Sequence, residues 1–133
     1  MAVVEIVSFG FLHGPLLDEN GDPLLVDLTV DLRRHFRDPH VSPQLRYMTA
    51  DDEPVRRAVL GTPGVSELVL ATVAAIEAFA SGPSAGTVTV ADGCAGGRHR
   101  APVFARALAD RLTASGHQVT VQHRDMHRAV VNR

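Results

Sequence analysis

Gly86-Thr87-Val88-Thr89-Val90-Ala91, followed by Asp92-Gly93-Cys94-Ala95-Gly96-Gly97-Arg98-His99-Arg100, is the stretch that decides the fold. The first six residues are rich in β-branched side chains and predict a strand. The next nine form a glycine-rich loop. Arg100–Ser115 then carries Val103, Leu108 and Leu112 at helical spacing, with Gly116 placed to end the helix. His117–Gln122 reads as a further strand. Strand, loop, helix and strand in that order predict a parallel crossover, right-handed if both strands share one sheet.

Toward the N-terminus, Ala2–Ser8 reads as a short buried strand, and Phe9-Gly10-Phe11 with His13-Gly14-Pro15 as the loop that follows it. Asn20-Gly21-Asp22-Pro23 is a second turn signal. Val26, Leu28, Val30 and Leu32 alternate with Asp27, Thr29 and Asp31, the pattern of a half-buried strand. Residues 33–51 lack any sustained period and predict a structured loop, whose length suggests function. Asp52–Leu60 reads as a helix with Pro54 in its first turn, ended by Gly61-Thr62-Pro63-Gly64. Val65, Leu68, Val69, Val73, Ile76, Phe79 and Ala80 form one helical stripe, with Thr72 its one polar member. Ser66 or Thr62 is expected to cap that helix, and Ser81-Gly82-Pro83 to stop it. The order β–β–α–α–β–α–β predicts one α/β domain over residues 1–133, with a central mixed sheet of about four strands flanked by helices. His123–Arg133 reads as a short helix or a flexible arm, with 124–133 as a tail.

The chain has 133 residues, 45% apolar and 21% charged, enough to bury a core and too apolar to be disordered. Its N-terminus lacks the basic start and apolar core of a signal peptide, and no apolar run reaches the length of a membrane span. One cysteine excludes an internal disulfide framework and leads us to expect a cytoplasmic protein. All 13 basic residues are arginine, and the net charge of −2 is uneven. Residues 98–133 hold seven arginines and two aspartates, a surplus of +5, whereas residues 1–97 carry −7. The basic third predicts an anionic partner, a phosphate ligand or a nucleic acid.

At a strand-to-helix junction, unpaired N–H groups and the positive end of the helix dipole point at one spot. Gly93, Gly96 and Gly97 remove side chains that would keep a ligand from that backbone, and Arg98, His99 and Arg100 add donors suited to phosphate oxygens. The stretch predicts an anion cradle for a phosphoryl group, made of Cys94, Ala95, Gly96, Gly97, Arg98, His99 and Arg100. No Gly-Lys-Ser/Thr follows the glycines, so a Walker A triphosphatase is unsupported. Cys94 and Arg100 have the Cys-x5-Arg spacing of cysteine phosphatases, which leaves a nucleophilic thiolate as an alternative. Against it, Ala101 stands where such enzymes carry a hydroxyl residue, and a small buried cysteine suits the glycines better. No histidine pair has zinc-helix spacing, so neither a metal nor a cofactor is expected. His13 and His40, each in a loop near a strand end, are expected to converge on the cradle.

Ser8-Phe9-Gly10-Phe11-Leu12-His13-Gly14, Val30-Asp31-Leu32-Arg33, Asp38-Pro39-His40 with Pro43, Leu45-Arg46-Tyr47-Met48-Thr49 and Gly93–Arg100 occur in this order. Together they resemble the C-terminal domain of the RapZ ribonuclease adaptor family, over nearly the whole chain. The resemblance implies a non-catalytic metabolite sensor that binds glucosamine-6-phosphate and small RNA and presents RNA to a ribonuclease. It implies a sugar-phosphate site at His40, Ala95-Gly96-Gly97 and Arg100, with His13 and His99 nearby. It places Arg124, with Arg128 beside it, in an RNA-binding region, and it suggests homodimers. The departures are Ala95 for a usual threonine, Ala101 for a serine and Val41 for a tryptophan, and a far less basic end over Asp125–Arg133. The kinase-like N-terminal domain of the family is missing, which leads us to expect a stand-alone version, with a separate kinase-like protein as a candidate partner.

Overall fold

β1 (Val3–Gly10) lies inside a four-stranded sheet of order β2-β3-β1-β4, whose other strands are β2 (Leu28–Asp31), β3 (Val88–Cys94) and β4 (Gln118–His123). The computed structural model describes residues 1–84 and 86–133. Every pairing is parallel: Val4 faces Val88, Val4 also faces Val119, and Leu28 faces Val90. The expected mixed sheet is therefore corrected to a wholly parallel one. The correction has a physical origin. β1 and β2 follow each other in sequence but are separated by β3, so the connection between them crosses the sheet instead of closing a hairpin.

The helices are α1 (Glu53–Leu60), α2 (Val65–Ala80) and α3 (Arg100–Ala114). They cover the sheet face that carries Val4, Ile6, Val88 and Val90, and Leu32, Val55, Val59, Val65, Ile76, Phe104, Leu108 and Leu112 complete the buried core. α3 packs on β1, β3 and β4, and its first turns are buried on all sides through Ala101, Pro102, Val103, Phe104 and Ala105. The other face is bordered by the irregular segment 16–24 and forms an open groove of about 780 Å³ between Glu5, Val7, Asp18, Thr89 and Gln122. Parallel sheets are usually covered on both faces. Here one side has helices and the other only a loop.

Several boundaries differ from expectation in instructive ways. β1 and β3 each run further than their apolar patterns suggest, to Gly10 and Cys94, because the two glycine-bearing ends pair with one another. The α2 stripe is buried at Val65, Val69, Thr72 and Ile76, but Phe79 is 47% exposed. Neither Ser66 nor Thr62 caps α2: its N-cap is Gly64 at φ +95°, and the Thr62 hydroxyl donates to the Ala58 carbonyl at 2.8 Å. Gly116, at φ +90°, follows α3 as expected. Among the described residues no single helix is long and apolar enough to cross a membrane.

Parallel strands put all four carboxyl ends on one edge. The segments after β1, β2, β3 and β4 therefore gather there, the usual place for ligands in an α/β sheet.

Candidate anion site at the carboxyl edge of the sheet

With β3 reaching Cys94, the loop proper is Ala95–His99 and α3 starts at Arg100. Its backbone is pressed against the end of β1. A methyl group on Gly10 would sit 2.4 Å from the Gly96 carbonyl carbon, and one on Gly97 would sit 2.7 Å from the Gly10 nitrogen. Gly97 also has φ +78°, which a side chain disfavours. Gly93 is closed in by the Phe9 and Phe11 rings, 2.6–2.9 Å from where its Cβ would be. Gly10 and Gly97 therefore allow close packing of main chain on main chain, and Gly93 makes room for the two rings. Leu12 N–H donates to the Ala95 carbonyl (3.0 Å), and Gly10 N–H donates to the buried Asp125 carboxylate (2.7 Å). Gly97 N–H points at Cys94 Sγ at 3.3 Å. Among the described residues, the N–H groups of Ala95, Gly96, Arg98 and His99 have no carbonyl partner.

The three cationic side chains expected to hold phosphate are all bonded to protein carbonyls. Arg100 is 3% exposed; its Nη1 donates to the carbonyls of Leu32, Arg33 and Phe36, and its Nη2 pairs with Asp38 at 3.1 Å. His99 Nε2 donates to the carbonyls of Leu45 (3.1 Å) and Met48 (2.9 Å), and burial pushes its pKa down. Arg98 donates to the carbonyls of Tyr47, Met48 and Arg128, and its own carbonyl accepts from Ala50 N–H. Residues 32–50 have few backbone partners of their own, and these side chains supply them. Arg98, His99 and Arg100 thus fasten the long loop over the start of α3, while the Nε of Arg98 and of Arg100 are buried without a protein partner.

What remains facing the loop is different. His13 ends a short 3-10 turn (Phe11–His13), and its Nε2 is enclosed with no hydrogen-bond partner. His40 lies in a second such turn (Pro39–Val41), capped by Asp38, whose carboxylate accepts from His40 N–H at 3.0 Å. Burial lowers the pKa of His40, and the Arg133 and Arg46 charges add to that. Arg133 went unnoticed in the sequence. Its Nη1 lies 3.2 Å from where a Gly96 Cβ would be, and its Nη2 pairs with Asp38 Oδ2 at 2.6 Å. The surplus of arginine in the last third was the one signal pointing to it, and that signal singled out no residue. Here, then, the described residues bring together His40, Arg133, Asp38 and a row of free amides, with His13 next to Ala95 through Leu12.

This arrangement is matched in sequence by a known domain. The family model of the RapZ C-terminal domain matches residues 2–127. The chain belongs to the RapZ C-terminal domain family. A nucleotide-binding protein of Thermobifida fusca is 36% identical over 126 residues, covering 92% of this chain and 40% of that protein. One of Streptomyces coelicolor is 38% identical with the same coverage of 92% and 40%. One of Desulforudis audaxviator is 36% identical over 132 residues, 96% of this chain and 42% of that protein. The chain thus spans about two-fifths of the length of these relatives.

Within this RapZ-type domain the remaining candidates find their places. Cys94 is 3% exposed, and burial raises its pKa, the reverse of what a thiolate nucleophile needs. Arg100, the other end of the Cys-x5-Arg spacing, is bonded to Asp38 and three carbonyls. Arg124 is likewise fastened, to the carbonyls of Pro15, Gly10 and Gly14 and to Asp125, which is fully buried. The segment expected as a tail therefore begins with residues that clamp the end of β1, and Met126 beside them is also buried. Arg128 is more exposed, 3.7 Å from Asp125. Sequence reading also passed over a buried polar row in register across three strands. Ser8 Oγ and His123 Nδ1 share a hydrogen bond of 2.6 Å, and Asp92, opposite Ser8, has no partner on either carboxyl oxygen. Burial raises the Asp92 pKa well above the ordinary value. Among the described residues no cluster of histidine, cysteine or acidic groups could hold a metal.

Proposed function

We propose that this RapZ-type domain binds a phosphorylated small molecule at the Ala95–His99 loop, as a non-catalytic sensor of a phosphosugar such as glucosamine-6-phosphate or of a nucleotide. The observation that carries this reading is the group of free N–H donors on Ala95, Gly96, Arg98 and His99 at the start of α3, beside His40 and Arg133. Such donors, at the positive end of a helix, favour an anion and need no side-chain hydroxyl. Alanine at position 95 is thus compatible with phosphate held by main chain. His13, with an enclosed and unpartnered Nε2, has a donor or acceptor to offer a ligand hydroxyl. The names of the relatives favour a nucleotide. They describe proteins more than twice as long, and the family resemblance favours the phosphosugar. Calorimetric titration with glucosamine-6-phosphate and with nucleoside mono- and triphosphates tests this reading. Saturable binding that inorganic phosphate displaces supports it, and absence of binding to all of them refutes it.

A second reading is contact with RNA. It rests on Arg34 and Arg37, exposed and without an ion-pair partner among the described residues, together with Arg128. Gel shifts over a salt series decide the matter, because phosphate contacts give a steep loss of affinity with salt. Presentation of RNA to a ribonuclease, a kinase-like partner and homodimers rest on the family resemblance alone.

A further inference from the structure

We propose that Arg133 is the ligand-responsive cation of this site, exchanging Asp38 for the phosphoryl group when a ligand binds. The inference rests on the phosphate reading above and adds a residue outside the span that the family model matches, which ends at residue 127. Three observations carry it. First, Asp38 Oδ2 is shared by two guanidinium groups, Arg100 Nη2 at 3.1 Å and Arg133 Nη2 at 2.6 Å. One carboxylate cannot neutralise two guanidiniums, so one positive charge is left over beside the loop. Second, the two arginines are not equivalent. Arg100 is 3% exposed and bound to three further carbonyls, whereas the Arg133 side chain is 23% exposed and Asp38 is its one hydrogen-bond partner among the described residues. Arg133 is the one that can leave, and Arg100 stays to hold Asp38. Third, Arg133 Nη1 already reaches 3.2 Å from the Cβ position of Gly96, whose N–H is free. A phosphate oxygen bonded to that N–H comes within reach of the guanidinium without movement of the main chain.

This arrangement gives the site a charge balance suited to a dianion. The Arg133–Asp38 pair lies against the loop at Gly96. A phosphoryl group competes with one carboxylate for one guanidinium, and a forked donor binds two of its oxygens at once. Lysine offers a point charge without the fork, so it preserves only part of the effect.

The test uses the full chain as parent, Arg133→Lys and Arg133→Ala, titrated with inorganic phosphate, a hexose 6-phosphate and a nucleoside monophosphate. Thermal unfolding of each protein is followed in parallel. The Arg133 Nε–Hε resonance of the parent is followed by NMR during the phosphate titration. The expected result is binding by the parent, weakening of about tenfold or more in Arg133→Ala, partial recovery in Arg133→Lys, an unchanged unfolding temperature, and a resonance that shifts and saturates with binding. The two organic phosphates show which part of the ligand beyond the phosphate is recognised. Binding by the parent with Arg133→Ala equally tight overturns this inference and leaves the loop site standing. Weakened binding with a lowered unfolding temperature and an unmoved resonance also overturns it, since Arg133 would then be only a tether. Failure of the parent to bind any of the three removes the loop site and this inference together.

Discussion

At the scale of single residues, the arginines around the glycine-rich loop divide into those bonded to several protein carbonyls and Arg133, which has Asp38 as its hydrogen-bond partner among the described residues. Arg100 belongs to the first group. Arg100→Ala strips donors from the Leu32, Arg33 and Phe36 carbonyls and a partner from Asp38, and should cost about 2–4 kcal/mol of stability in urea unfolding. Arg100→Lys should recover little, because an ammonium lacks the fork that reaches several carbonyls. A change under about 0.5 kcal/mol, the size usual for surface substitutions, would refute the fastening role. His99 tests the same idea through pH. Its folded pKa lies below the 6.5 of a free imidazole because of burial. Its stabilising contribution is therefore complete above pH 6.5 and is lost as pH falls through the folded value. Replacing His99 by Gln, which keeps a donor, should reduce the loss of stability on acidification; unfolding curves that move in parallel with the parent's would argue against it.

The glycines act on elements. Gly10 closes β1 and Gly97 belongs to the loop before α3, yet each occupies the space where the other would need a side chain. Gly10→Ala, in a strand position with ordinary φ, should therefore destabilise by about 1–3 kcal/mol through overpacking alone. It should also push the Ala95–His99 loop away from β1 and weaken any ligand held there. Unfolding and titration of the one variant measure both effects. Unchanged affinity with lowered stability would show that the loop is not positioned by β1. The sequence marked these glycines as significant, and their number suggested access for a ligand. Distance shows that contact between strand end and loop is their first use, and that free amides are the consequence.

For the molecule as a whole, the wholly parallel sheet sets both the site and an internal cost. Asp92 stands in the centre of that sheet, 0% exposed, with no hydrogen-bond partner for its carboxyl oxygens. Its folded pKa is raised above the 3.8 of a free aspartate, so the folded state binds the proton more tightly than the unfolded chain. Stability from this group accordingly declines as pH rises from about 3.8 toward the folded value and is level beyond it. His40, His99 and His123, all with lowered pKa values, have the opposite slope below pH 6.5. Subtracting the parent's pH–stability curve from that of Asp92→Asn isolates the carboxyl. The difference should grow in favour of the variant as pH rises through that window, and a flat difference would exclude a strained carboxyl at this position. Local periodicity made most of this architecture legible: the strand–glycine loop–helix unit, the α2 stripe and the α3 stripe depend on neighbours within a few residues. Edge order was not legible, because no local pattern shows that β3 separates β1 from β2.

The amino-acid sequence by itself determined the element types, the place of the glycine loop at a strand-to-helix junction and the family, since each rests on residue spacing along the chain. Only the tertiary structure decided which charges are paired within the protein. Arg98, His99 and Arg100 bind carbonyls 30–68 residues away, and Arg133 meets Asp38 across 95 residues. A side chain's partner depends on where the chain returns in space, and a guanidinium bonded to three carbonyls looks the same in sequence as one with a single partner.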